Sequence, residues 1–143
     1  MKRVRVWLAL ALMGVAAVAV IGPTSSAVGF FSRGLTLEVQ VNSPATMHAK
    51  GAAIDVPLKV VCTGRTATVF VEVTQRVGRR IAQGFASKDI TCTGQVQGIP
   101  VTMAATGTAF KKGPAFAHAE IFGCAPRICG NETADADIAI GGK

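Results

Sequence analysis

The chain has 143 residues, half of them hydrophobic, with fifteen Lys and Arg against eight Asp and Glu. One Trp, seven Phe and no Tyr leave little aromatic surface on which sugar rings or single-stranded bases could stack, so saccharide and nucleic-acid binding are disfavoured. An antibody-type domain carries a core Trp beside its disulfide and a corner Tyr; this chain has neither, and any immunoglobulin-like arrangement is of the generic kind.

Lys2, Arg3 and Arg5 are followed by an uncharged apolar run from Val6 to Ile21, then by Gly22, Pro23 and the small residues Ser25-Ser26-Ala27. That order predicts a secretory signal peptide over 1–27. The apolar run of sixteen residues is shorter than the roughly 20 that cross a hydrocarbon core, so no stable membrane insertion is expected after cleavage. A bacterial lipid anchor would need a cysteine just after the cut, and the first cysteine is Cys62. The mature chain, 28–143, loses three cations and the only Trp, which leaves twelve basic and eight acidic residues and a net charge of +4. Its 116 residues make one domain, large enough to bury roughly two thirds of its unfolded surface, and the expected location is secreted or extracellular.

The mature segment reads as strands throughout, since apolar residues recur at period two and nowhere hold a period near 3.6. Leu35, Leu37, Val39 and Val41 alternate with polar residues and stop at Asn42-Ser43-Pro44, a turn signal. Ile54, Val56, Leu58, Val60 and Cys62 share the next inward face, with Pro57 implying an edge position or a bulge. Ala67, Val69, Val71 and Val73 form a third inward set, opposite Thr68, Phe70, Glu72 and Thr74. A hairpin marked by Gly78 returns through Ile81 to Ala86, and Ile90 and Cys92 continue the alternation. Strands follow over Ile99–Ala105 and Ala115–Phe122, and the last points Ala134, Ala136, Ile138 and Ile140 inward. The predicted fold class is all-β, an immunoglobulin-like Greek-key β-sandwich of seven or eight strands with two disulfides.

Four cysteines in an exported chain point to structural bridges rather than zinc or redox chemistry. The strings Val60-Val61-Cys62-Thr63-Gly64 and Ile90-Thr91-Cys92-Thr93-Gly94 place two inward cysteines at similar strand ends, so Cys62 with Cys92 and Cys124 with Cys129 is the favoured pairing among three. Catalysis has little to work with. His48 falls in a turn-rich segment, His118 and Glu120 share one strand face as two metal ligands do but no third is visible, and no nucleophile turn of the Gly-x-Ser-x-Gly kind occurs. Asp135 and Asp137 read as an outward face. The sequon Asn131-Glu132-Thr133 matters only in a eukaryote, and the Ala, Gly and Val bias suggests a bacterial source. The clusters Arg76, Arg79, Arg80 and Lys111, Lys112 stand out from otherwise scattered cations, which read as a solvated surface. No enzymatic activity, metal or cofactor is expected.

The sharpest local candidate is Cys124-Ala125-Pro126-Arg127-Ile128-Cys129, a loop of four residues closed by a disulfide, with Arg127 at its tip. A CxxxxC loop joining the last two strands of a small secreted sandwich resembles the neocarzinostatin family of actinobacterial apoproteins. The resemblance covers Cys124, Cys129 and their flanking strands, and implies an immunoglobulin-like fold with a small hydrophobic ligand held in a cleft. The other bridge of that family closes a much shorter hairpin than Cys62 and Cys92 would. The expected function is a secreted, non-enzymatic binding or envelope-associated module whose partner is a protein or a small hydrophobic ligand. Two alternatives follow: a small-ligand carrier using Phe70, Phe116 and Phe122, which otherwise complete the core of a second layer, or a protease inhibitor presenting Arg127.

Overall fold

Each alternating segment leaves one apolar face that must be covered, and the chain covers them by stacking two layers of strands face to face. A computed structural model describes residues 34–142, so the predicted signal peptide over 1–27 lies outside the described residues. The strands are β1 Leu37–Val41, β2 Ala45–His48, β3 Ala53–Cys62, β4 Thr66–Val77, β5 Arg80–Thr91, β6 Gln97–Ala104, β7 Thr106–Gly107, β8 Gly113–Ala125 and β9 Ile128–Gly142. A short 3-10 turn, Ala49–Gly51, separates β2 from β3. The fold is the predicted all-β, immunoglobulin-like sandwich with both disulfides. The described residues form nine strands rather than seven or eight, because the first edge is split at Asn42 to Pro44 and because β7 is a two-residue addition to the edge of β5.

One layer is β1, β3 and β6, with β3 central; the other is β9, β8, β4 and β5 in that order, with β7 at the edge. The segment β2 joins them, running antiparallel to the start of β3 and parallel to the end of β9. His48, expected in a turn, instead ends β2, where its Nε2 donates to Asp55 Oδ2 at 2.7 Å. The long hairpin β4–β5 pairs from Thr66↔Thr91 to Val77↔Arg80, and β8–β9 pairs from Gly113↔Ile140 to Ala125↔Ile128.

Pro57 overturns the expectation of an edge or bulge, since it lies in the central strand β3, opposite Pro100 of β6. Asn42 N donates to Pro57 O at 2.9 Å, so the backbone of Pro57 faces the first edge, where the chain breaks between β1 and β2. A missing donor costs little there. Pro100 faces away from β3 in turn, and its carbonyl accepts from Lys88 Nζ at 2.9 Å, so its own missing donor falls on the outer edge of β6, where proline is tolerated.

The core follows the inward sets read from the alternation: Ile54, Val56, Leu58, Val60 and Cys62 on β3, Ala67, Val69, Val71 and Val73 on β4, and Ile138 and Ile140 on β9 are all buried. Each fully buried Val, Leu or Ile side chain contributes roughly 1.5–3 kcal/mol. Val39, Ala134 and Ala136, also predicted inward, are only half-buried, because β1 and β9 diverge and neither covers the other completely. The Cys62–Cys92 disulfide ties β3 to the end of β5 and so joins the layers; Cys124–Cys129 closes the tip of β8–β9.

Candidate binding surfaces

The inward set on β4 forces Thr68, Phe70, Glu72 and Thr74 outward, and the register aligns them with outward residues of the neighbouring strands. Across the four-stranded sheet, Thr68 lies between Asp89 and Phe122, Phe70 between Ser87 and Glu120, Glu72 between Phe85 and His118, and Thr74 between Gln83 and Phe116. On β9, Asn131, Thr133, Asp135 and Asp137 extend these four rows. These sixteen described positions hold Glu72, Asp89, Glu120, Asp135 and Asp137, which is five of the eight acidic residues of the chain, together with four phenylalanines and no Lys or Arg.

Phe116 and Phe122 therefore do not complete a second core layer, and Phe70, half-buried, borders a shallow depression on the same face. All three stand on the outer face, over which none of the described strands packs: Phe116 is 47% and Phe122 45% exposed, and Phe85 beside them is 64% exposed. Phe70 and Phe85 stack with ring centroids 6.3 Å apart, and a depression of about 320 Å³ lies between them and Glu72, His118 and Glu120. The polar groups around it are mutually held. His118 Nδ1 donates to Asp135 Oδ1 at 2.6 Å, Asn131 Nδ2 donates to Glu120 Oε1 at 2.7 Å, and Thr68 Oγ1 donates to Asp89 Oδ1 at 2.7 Å. His118 and Glu120 share a face as read, each with a neighbour of its own on β9, and among the described residues no group of three or more His, Cys, Asp or Glu is placed to hold a metal.

Pro126 and Arg127 form the two-residue turn between Ala125 and Ile128. Arg127 is exposed at the tip of a tight hairpin, so the backbone there is bent, whereas a protease cleft takes an extended segment. Cys124 and Cys129 face each other across the last rungs of the ladder.

A second concavity, a groove of about 920 Å³, runs between β1 and the stretch 132–136 of β9. Its walls include Val39, Val41, Val60, Ala134 and Ala136, and Glu38, Lys59, Glu132 and Asp135 stand at its margin. It arises because, among the described residues, β1 pairs with β3 alone and this part of β9 pairs with β8 alone. Period-two reading finds the inward residues of this groove but not the gap between their strands.

No protein-family model matches the chain, and no curated protein matches it. The chain is similar in structure to AggA, the major subunit of aggregative adherence fimbriae type I from Escherichia coli, with 12% identity and a TM-score of 0.39 over 76% of this chain and 95% of that one.

Proposed function

We propose that the protein is a secreted, non-enzymatic binding module of the cell envelope whose docking face is the outer face of β9, β8, β4 and β5. The observation that supports this reading is the composition of that face, where exposed Phe85, Phe116 and Phe122 and half-buried Phe70 stand among five carboxylates with no Lys or Arg in the sixteen positions. Exposed aromatic rings attract cations through their faces, and carboxylates beside them add charge complementarity, so the partner is a protein segment that combines Lys or Arg with apolar side chains. A sheet closed by two long hairpins holds the residues in a fixed array, which keeps the ordering cost of binding low.

Titration of the mature protein with the peptide acetyl-(Arg-Phe)3-amide, followed by amide chemical shifts, tests this. Shifts should concentrate at Phe70, Glu72, Phe85 and His118, and Phe85→Ser combined with Glu72→Gln should weaken binding about tenfold. Equal binding by the double variant, or shifts centred elsewhere, overturns the docking face.

The groove between β1 and β9 supports a second reading, a carrier of a small hydrophobic ligand, because its aliphatic walls are half-open and its volume suits a small molecule. The mature chain lacks Trp and Tyr, so protein purified from its native host should be nearly transparent in the near ultraviolet. A strong absorption band there, with a bound mass released on denaturation, is the expected sign of a carrier; a colourless, ligand-free preparation ends it.

A further inference from the structure

Six cations from three segments far apart in the chain meet at one end of the sandwich. Arg76, Arg79 and Arg80 occupy the tip of the β4–β5 hairpin, Lys111 and Lys112 the loop before β8, and Lys50 the 3-10 turn before β3, all of them exposed. Two specific contacts hold the three segments together. Gln75 is 3% exposed; its Oε1 accepts from Lys111 N at 2.8 Å and its Nε2 donates to Lys111 O at 2.8 Å. The loop is thereby fastened beside the arginines. Phe110 is fully buried and its N donates to Gly51 O at 2.9 Å, while a Cβ on Gly51 would run into Phe110 O. Only glycine allows that approach, and it brings Lys50 against the same loop.

The three segments, 49–52, 75–81 and 105–114, contain no acidic residue. Among the described residues no Lys or Arg forms an ion pair with a carboxylate: Asp55 meets His48 and Thr102, and Asp137 lies on β9, with β8 between it and the strand that carries Arg76. Ile81, 49% exposed, stands beside Arg80 and opposite Arg76.

We propose that this end of the sandwich is a docking site for an anionic phospholipid surface. Like charges held together at this density stabilise nothing within the fold, whereas they gain attraction at a negatively charged plane. The end carries an exposed aliphatic residue, and the one aromatic of its three segments, Phe110, is buried, which suits a headgroup layer better than a nucleic-acid strand, whose bases need stacking partners. The site adjoins the proposed docking face at Arg76, the next outward residue of β4 after Thr74, but the charge-removing variants below leave the sixteen positions of that face unchanged.

Co-sedimentation of the mature protein with vesicles of phosphatidylglycerol and phosphatidylcholine, against pure phosphatidylcholine, tests the proposal at low salt. Binding is expected only with phosphatidylglycerol, falling roughly fivefold for each cation removed from this end in Arg79→Ser/Arg80→Ser and Lys111→Ser/Lys112→Ser. Lys59→Ser/Arg65→Ser, with the same change in net charge elsewhere, should bind within about twofold of the parent. Gln75→Leu keeps all six charges but releases the loop, and a severalfold loss in a variant that circular dichroism shows to be folded supports a built site. Equal loss in the Lys59/Arg65 variant, no preference for phosphatidylglycerol, or tighter binding to a DNA oligonucleotide than to vesicles overturns it.

Discussion

Gln75 is the one buried polar residue among the described residues. Buried in β4 two positions beyond Val73, it escapes the usual cost of a buried amide because its oxygen and nitrogen both bond to the Lys111 backbone, and Nε2 also approaches Pro114 O at 3.3 Å. Gln75→Leu leaves those backbone groups without their partner and should cost about 1–3 kcal/mol in urea unfolding. Glycines divide by what surrounds them. Gly51 at φ +93 lies against Phe110 O, so Gly51→Ala combines left-handed strain with a backbone clash and should cost more than about 3 kcal/mol. Gly78 at φ +62 has nothing near its missing Cβ, and Gly78→Ala at the hairpin tip should cost only about 1 kcal/mol. Equal midpoint shifts for the two alanines would mean that the Gly51 contact is absent in solution.

At the scale of elements, the two disulfides restrain different things. Cys62–Cys92 spans 30 residues and joins the layers, so replacing both with alanine should cost roughly 3.6 kcal/mol by chain entropy alone. Cys124–Cys129 spans 5 residues, for which the same reasoning gives about 2 kcal/mol, and the β8–β9 ladder already closes that hairpin. The measured loss for the second pair should therefore be the smaller. Cys62 is fully buried while Cys124 and Cys129 are exposed, so mild reductant followed by alkylation and mass mapping should label Cys124 and Cys129 first. Early labelling of Cys62 would place the layers further apart than described.

Over the whole molecule, charge is sorted by surface. Five carboxylates lie on the outer sheet face and six cations at one end, an asymmetry hidden by the net charge of +4 over residues 28–143. Clustered like charges repel, so Lys112→Glu should stabilise the fold by a few tenths of a kcal/mol up to about 1, seen as a higher unfolding midpoint at low salt and no change at high salt. The same substitution should weaken binding to phosphatidylglycerol vesicles. A rise in stability with undiminished vesicle binding would separate the charge cluster from the lipid site.

Strands and their inward faces are legible in the sequence alone, because side chains alternate strictly along an extended backbone and one face must be apolar to be covered. The sets from Ile54 to Cys62 and from Ala67 to Val73 are sufficient for this, and the strand ends they define favour the cysteine pairing observed. Period two also marks Phe70, Phe116 and Phe122 as lying opposite the aliphatic set. It does not decide whether that second face is covered, since coverage depends on which layer packs where, and none of the described strands covers it. Pro57 escapes the sequence for a related reason: an edge is inferred from one strand, whereas the break between β1 and β2 that accommodates the proline belongs to its neighbour. The fastening of Lys111 by Gln75, and the approach of Gly51 to Phe110, join segments that are distant in the chain. Only tertiary structure brings such groups within hydrogen-bonding reach, and with them Lys50 and the two cation clusters that the sequence shows as far apart.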